Sequence, residues 1–130
     1  MEPALVPVVA AVVRRGDRYL VGRRPAGKRH GGLWEFPGGK VDAGESLLAA
    51  ATRELAEELS VSTNGIGRTL FSSRDGDAPF EIHFVEIEIT GDPIAHEHSE
   101  VGWFTRSELK RLELAPADAE FVEELELLGA

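Results

Sequence analysis

The fold of this chain is decided by residues 39–61, which read GKVDAGESLLAAATRELAEELSV. Positions 45–59 are rich in Ala, Leu and Glu and contain neither Gly nor Pro after the initial loop, so they predict an α-helix. Apolar residues recur there with the helical period and predict a face that packs against the core: Leu48, Ala51, Leu55 and Leu59. A glycine-punctuated loop over 37–45 leads into this helix.

The predicted helix carries three glutamates on one side, because Glu54, Glu57 and Glu58 are spaced at i, i+3 and i+4. Like charges at this spacing destabilise an isolated helix, so the cluster calls for a compensating cation. Magnesium prefers oxygen ligands and often joins one or two carboxylates to substrate phosphates. The alternative is a solvated acidic face, since surface glutamate is common in helices. Arg53 can hold a neighbouring carboxylate by a two-pronged hydrogen bond.

Strand signals lie on both sides of this helix. The segments are 6–13, 19–21, 33–36, 69–71, 80–89 and 103–104. The first two predict an antiparallel hairpin joined by a tight turn. Within 80–89 the apolar parity changes, which predicts a bulge near Phe84 and Val85.

Two more helices are predicted after the last strand. Thr105 and Glu108 have the spacing of a capping box at the start of a short helix. Asp118 is placed to cap a final helix over 119–128. The order of elements predicts an α+β fold with a mixed sheet and helices packed against it.

Composition excludes several classes of protein. A chain of 130 residues and 14.1 kDa fits a single domain spanning 1–130. The balance of 14 basic and 23 acidic residues gives a net charge of −9, which opposes stable binding to nucleic acid or to anionic membranes. With no cysteine, disulfides, thiolate metal sites and cysteine nucleophiles are excluded. We expect a cytoplasmic monomer or homodimer, since no leader or long apolar run is visible.

The only pronounced basic stretch is the glycine-rich segment 23–32. It contains Arg23, Arg24, Lys28 and Arg29 in a chain of negative net charge, which predicts a local anionic ligand. A solvated loop is the alternative interpretation.

Residues 39–61 resemble the Nudix box. Gly39, Glu45, Arg53 and the three glutamates stand where that motif has its glycine and its charged residues. One departure is Ser60, where the family usually has glycine, since serine adopts positive φ less readily. The stretch 23–40 is similar to the MutT-like branch, whose members hydrolyse nucleoside triphosphates to monophosphates and pyrophosphate.

The resemblance implies a Nudix fold, with a mixed β-sheet sandwiched between α-helices, and a Mg²⁺ cofactor with Mn²⁺ as a substitute. The metal ligands it implies are Glu54, Glu57, Glu58 and the carbonyl of Gly39. Arg53 would orient Glu45 and its neighbours, while Arg23 and Arg24 would meet the phosphates.

The general base stays open at this point. It is either a box glutamate such as Glu57 or Glu58, or an acid of the loop 96–100, with Glu97 the first choice and Glu100 the second. His96 and His98 flank Glu97, but two neighbouring histidines make a poor zinc site, so we expect exposed loop residues.

Base recognition is assigned to Phe36 and Asp118. Phe36 is a candidate for stacking on the base, with a core position as its alternative. The segment 115–118, Ala-Pro-Ala-Asp, together with Ala-His-Glu-His at 95–98, looks like the CTP pyrophosphohydrolase branch, whereas enzymes for oxidised guanine carry Asn at the Asp118 position. The alternative is that Asp118 only caps the last helix.

The predicted function is metal-dependent hydrolysis of cytidine-type or oxidised nucleoside triphosphates, with a small-molecule nucleotide as the partner. One alternative is a hydrolase of nucleotide sugars or dinucleoside polyphosphates. Another is a ligand-sensing domain without activity, although a pure binding module has no need of mutually repelling carboxylates.

Overall fold

The computed structural model describes residues 4–128. Its elements in chain order are β1 (Val6–Val12), β2 (Arg14–Arg15), β3 (Arg18–Arg23), β4 (Trp34–Glu35), β5 (Gly38–Lys40), α1 (Leu47–Leu59), β6 (Ser62–Arg74), β7 (Phe80–Thr90), β8 (Glu100–Thr105), α2 (Arg106–Leu109) and α3 (Pro116–Leu127). The predicted mixture of strands and helices is confirmed. None of the helices in the described part of the chain is long and apolar enough to cross a membrane.

The strands form two sheets of four strands each. The larger sheet is mixed and has the order β5-β1-β7-β6, with β1 and β7 parallel and the outer strands antiparallel to their neighbours. In the smaller, antiparallel sheet β3 pairs with β2, β4 and β8. Helices α1 and α3 cover opposite faces of the mixed sheet, which is the predicted sandwich.

The core lies on both faces of β1 and β7. Val9 and Val85 pack with Leu55 of α1, whereas Ala10 and Phe84 pack with Phe121 of α3. A strand covered on both faces is apolar at both parities, which accounts for the pattern in 80–89. The predicted irregularity near Phe84 and Val85 is present, since the pairing of β6 with β7 shifts register between Thr69, opposite Val85, and Phe71, opposite Phe84. The extra residue is in β6, however, and β7 pairs with β1 without a break.

The predicted hairpin of 6–13 with 19–21 is wrong. Both edges of β1 are already hydrogen bonded, one to β5 and the other to β7, so β3 joins the smaller sheet. Only the two-residue strand β2 pairs with β3 in hairpin fashion. Residues 38–40, predicted as loop, form β5 because they complete the free edge of β1.

Helix α1 begins after Ser46, whose hydroxyl accepts a hydrogen bond from the Ala49 N–H at 3.0 Å. It ends at Ser60, which has φ 57° and ψ 37°. This left-handed conformation is the one that glycine usually supplies at a helix end, so serine takes over the geometry of the missing glycine. The helix therefore keeps the boundary that the box requires.

The two later helices differ in their caps. Thr105 and Glu108 form the predicted capping box at the start of α2. Helix α3 begins at Pro116, with Ala115 at the cap position and no side-chain cap. The interpretation of Asp118 as the helix cap is wrong, since proline at the first helical position extends the helix by one turn and places Asp118 inside it.

Candidate active site

Two neighbouring cavities lie where the box helix, the basic loop and α3 come together. The first, the carboxylate cavity, has a volume of about 380 Å³. Its charged lining residues are Arg24, Lys28, Glu35, Glu54, Glu58 and Glu97. A larger groove of about 620 Å³ lies between β6 and α3, but no residue of the box lines it.

The carboxylate cavity is built around Glu54 and Glu58. Glu58 is buried, with 4% of its surface exposed, and its carboxyl group lies beside that of Glu54, which contributes to its shifted pKa. Burial raises the pKa of Glu58 well above its usual range, and the negative charges of Glu54, Glu35 and Glu97 raise it further. Glu57 is exposed and does not line the cavity.

Gly39 and Arg53 fix the position of Glu54. A Cβ atom at Gly39 would lie 2.5 Å from the Glu54 carboxyl carbon, so a side chain at this position would displace that group from its present place. The Arg53 guanidinium donates to Glu54 at 2.6 Å, and to both oxygens of Glu45 at 3.0 and 2.8 Å. Hydrogen bonds from Arg53 and from the Asp42 N–H lower the pKa of Glu45 to about 2. These are the contacts that an orienting role for Arg53 requires.

The donor set fits a cation that needs few protein ligands. Within residues 4–128, no three His, Asp or Glu side chains form a ready-made metal cage. Two neighbouring carboxylates, one of them buried, are nevertheless a site that a positive ion would stabilise. Magnesium suits this arrangement because it commonly binds one or two carboxylates and completes its shell with water and phosphate oxygens.

The basic loop places Arg24 and Arg23 differently. Arg24 lines the carboxylate cavity and donates to Glu35 at 3.0 Å. Arg23 does not line it: its guanidinium donates to the Gly32 carbonyl at 2.9 Å and pairs with Glu100 at 3.4 Å. Arg24 and Glu97 therefore line the carboxylate cavity, whereas Arg23 and Glu100 pair with each other and do not line it.

His98 was expected to be exposed, and that expectation is wrong. Its ring is buried, and its Nε2 lies 3.0 Å from a carboxylate oxygen of Glu35. His96 is exposed as expected and contacts the Ser60 hydroxyl. The site role of Glu35 was also missed, although its position between the apolar Trp34 and Phe36 indicates a side chain on the opposite side of the strand.

The second cavity, the Asp118 cavity, has a volume of about 250 Å³. Val8, Phe80 and Ile82 supply apolar lining, while Asp118 supplies a carboxyl group. Arg24 and Glu35 line both cavities and form their shared wall. A flat apolar ring with polar edges could therefore lie in the second cavity while a charged group occupies the first.

Asp118 is buried, and one of its carboxyl oxygens accepts a hydrogen bond from the Phe36 N–H at 2.8 Å. Burial raises the pKa of Asp118 well above its ordinary value, and the charge of Glu35 adds to this effect. A buried carboxyl group with a shifted pKa in a cavity is a typical feature of a functional site.

The aromatic lining of this cavity differs from the prediction. Phe36 is buried among Phe84 and Phe121, with ring centroids 6.0 and 5.1 Å away, and lines neither cavity. Phe36 therefore occupies the core position that was its alternative interpretation, and the prediction that it stacks on the base is wrong. Phe80 is the aromatic residue that does line the Asp118 cavity.

Ion pairs between the basic loop and Asp75 line part of the Asp118 cavity. Arg29 and His30 lie 3.0 and 2.9 Å from the two carboxylate oxygens of Asp75. Burial alone would raise the pKa of Asp75, but hydrogen bonds from Arg29 and His30 lower it overall. The loop that carries Arg24 is thereby tied to the turn between β6 and β7.

A fold with this sandwich and this box helix defines a class of phosphoanhydride hydrolase, and the chain belongs to the Nudix family: the NUDIX domain model matches residues 4–125. The chain is 36% identical over 129 residues to the CTP pyrophosphohydrolase of Escherichia coli, covering 97% of this chain and 95% of that protein. It is 30% identical over 131 residues to the 8-oxo-dGTP diphosphatase of Haemophilus influenzae, covering 96% and 94%. The solution structure of the E. coli ORF135 protein is similar at a TM-score of 0.82 and 35% identity, over 98% of this chain and 92% of that one.

Proposed function

We propose that this Nudix hydrolase cleaves nucleoside triphosphates of the cytidine type or with an oxidised base, and that it releases nucleoside monophosphate and pyrophosphate. The observation that carries the proposal is the pair of adjoining cavities, since an acidic cavity with cationic residues is joined to a partly apolar one through Arg24 and Glu35. A nucleotide has the same two parts, a charged polyphosphate and a flat base.

Glu54 and Glu58 are the residues that would hold a divalent cation in the carboxylate cavity, with Glu57 and the Gly39 carbonyl as the further predicted ligands. When bound, such an ion neutralises phosphate charge and lowers the pKa of a water molecule. Arg53 keeps Glu54 in place, since its guanidinium bonds this carboxylate directly. The restraint matters because small displacements of a reacting group cost large factors in rate.

The phosphate chain is attracted by Arg24 and Lys28, the two cationic side chains that line the carboxylate cavity. Glu97 lines the same cavity and is the exposed carboxylate that accepts the proton of the attacking water. Water adds to a phosphorus atom, the phosphoanhydride bond breaks, and pyrophosphate leaves with the bond electrons.

The base is recognised in the Asp118 cavity. An ionised Asp118 accepts a hydrogen bond from the exocyclic amine of cytosine, whereas a protonated one also donates to a carbonyl oxygen of an oxidised purine. The raised pKa of Asp118 makes the second form accessible. The names of the two relatives above, one for CTP and one for 8-oxo-dGTP, support the same two substrate classes.

The test is a substrate panel of CTP, dCTP, 5-methyl-dCTP, dGTP and 8-oxo-dGTP, with UDP-glucose and ADP-ribose as diphosphate-linked controls. Each is incubated with and without Mg²⁺ or Mn²⁺, and pyrophosphate is separated from orthophosphate. We expect cation-dependent release of pyrophosphate from one of the triphosphates, and Glu58→Gln as an inactive control. Faster cleavage of the diphosphate-linked compounds would move the assignment to that class.

A further inference from the structure

His98 is a buried histidine that lines the carboxylate cavity and contacts Glu35 in the wall shared by the two cavities. Its side chain is 4% exposed, and its Nε2 lies 3.0 Å from Glu35 and 3.9 Å from Glu58. An ionised carboxylate can only accept hydrogen bonds, so the ring N–H at Nε2 donates to Glu35. The other ring nitrogen is buried and has no hydrogen-bond partner among residues 4–128. The ring is therefore anchored through one directed hydrogen bond.

The backbone of β3 at Gly22 determines how closely the His98 ring packs against the sheet. Gly22 is buried and pairs with Glu35 in β4 and with Val101 in β8. A Cβ atom at Gly22 would lie 2.6 Å from two ring carbons of His98, which is closer than such contacts occur. Because Gly22 has no side chain, the imidazole ring of His98 packs directly against the backbone of β3, and this contact fixes the position of the ring.

Glu35 is the residue on which His98 acts. One carboxylate oxygen of Glu35 receives the His98 N–H, and the other receives Arg24 at 3.0 Å. Both oxygens are thus held, and the carboxylate has one orientation in the shared wall. The nearby charge of Glu35 contributes to the raised pKa of Glu58 on one side and of Asp118 on the other. A change in the orientation of Glu35 would therefore alter the electrostatic environment of both cavities.

We propose that His98 is a positioning residue for nucleotide hydrolysis. It holds Glu35 in the shared wall, so that one nucleotide can place its phosphates in the carboxylate cavity and its base in the Asp118 cavity at the same time. The inference rests on the proposed function above. His98 also lines the carboxylate cavity, but the effect proposed here passes through Glu35, whose orientation decides whether Arg24 is free to meet the phosphates or is drawn away from them.

The test compares two replacements of His98. His98→Gln keeps an N–H donor at a similar reach, whereas His98→Leu removes the donor and keeps an apolar side chain. Loss of one hydrogen bond to a charged group predicts that kcat/KM falls by roughly tenfold or more in His98→Leu, mainly through KM, with most of the loss restored in His98→Gln. The matched control is His96→Leu, since His96 contacts Ser60 and not Glu35.

A second perturbation moves the ring without changing it. Gly22→Ala introduces the methyl group that collides with His98, and it should raise KM in the same direction as His98→Leu. Gly65→Ala is the matched strand control, because a Cβ there has no neighbour closer than 3.9 Å. Mn²⁺ affinity, measured by electron paramagnetic resonance without nucleotide, should change by less than about twofold in every variant, because none of the substituted residues is a proposed cation ligand.

Non-additivity separates positioning from a packing role. In a Glu35→Ala background, His98→Leu should cause no further loss of kcat/KM, because the two residues act as one unit. Unchanged kinetics of folded His98→Leu with only a lower Tm, full additivity with Glu35→Ala, or a loss of Mn²⁺ affinity as large as the loss of kcat/KM would each overturn the inference. A wild-type protein that cleaves no nucleotide overturns the proposed function instead; the His98–Glu35 hydrogen bond is then decided by the proton NMR signal of the His98 Nε2–H and its loss in Glu35→Ala.

Discussion

Replacing Asp118 by asparagine should stabilise the protein at neutral pH, although it removes a carboxyl group from the proposed base site. Asp118 is 6% exposed and accepts a hydrogen bond from the Phe36 N–H. Its pKa is raised in the folded protein by burial and by the charge of Glu35. Asparagine retains an acceptor for the Phe36 N–H and carries no charge that burial would penalise.

The sign of the pH dependence follows from linkage. Because the folded-state pKa of Asp118 is raised, the folded protein binds the proton more tightly than the unfolded chain, whose carboxyl group titrates near about 3.9. The stability contribution is fully present below that pH, is lost as pH rises towards the folded-state pKa, and then stays constant. The loss amounts to about 1.4 kcal/mol for each unit of pKa elevation.

Some of this gain is offset by a weaker hydrogen bond, because a charge-assisted bond to Phe36 becomes a neutral one, at a cost of about 1 kcal/mol. We therefore expect Asp118→Asn to be more stable than wild type at neutral pH by the difference between these two effects, with a Tm increase of roughly 3–5 °C per kcal/mol for a chain of this size. At pH near 3, below the unfolded pKa, the advantage should vanish or reverse.

The assay is urea unfolding of both proteins over a series of pH values from acid to alkaline. The difference in unfolding free energy isolates Asp118, since all other titrating groups are shared. Asp92→Asn serves as the matched control, because the Asp92 side chain is 98% exposed and its replacement should give a flat difference. A difference for Asp118→Asn that does not grow with pH, or a wild type that is the more stable protein at alkaline pH, would refute the reasoning.

Three further predictions concern the box and the basic loop. Glu58→Gln should lower kcat by about a thousandfold or more while the circular dichroism spectrum stays native, since it removes a buried carboxylate from the proposed cation site; near-normal turnover would contradict that role. Arg24→Ala should raise KM for a triphosphate by about tenfold, and by more than Arg23→Ala, because only Arg24 lines the carboxylate cavity; steady-state kinetics with equal effects would argue against the cavity. Ser60→Gly should raise the free energy of unfolding by up to about 1 kcal/mol in urea titrations, since Ser60 has positive φ. A lower free energy of unfolding would contradict this prediction and would mean that the lost contact between Ser60 and His96 matters more than the relief of backbone strain.

The box could be predicted from the sequence because its information is local. Helix period and the spacing of the three glutamates depend on neighbours within two turns, and the helix predicted over 45–59 is found at Leu47–Leu59. The same holds for the capping box at Thr105. Pairing between distant strands could not be predicted in this way, since the apolar runs of β1 and β3 fit a hairpin as well as two separate sheets.

Most of the candidate site depends on contacts between distant parts of the chain. His98 and Glu35 are 63 residues apart in sequence, and Asp118 and Phe36 are 82 apart. Burial of His98 and the position of Phe36 in the core follow from how β3, β4 and α3 pack, and a residue type alone does not reveal them. For the same reason the sequence could not tell that Arg23 pairs with Glu100 while Arg24 faces the cavity.

The amino-acid sequence by itself determined the family, the acidic helix and the absence of cysteine chemistry. The first two depend on the spacing of residues that are close in sequence, and the third depends on composition alone. Tertiary structure alone decided which carboxylates meet in a cavity, which histidine is buried, and that the two cavities share one wall. Those properties arise where β3, β4, α1 and α3 pack together, and solvent exclusion at that junction sets the pKa of Glu58 and of Asp118.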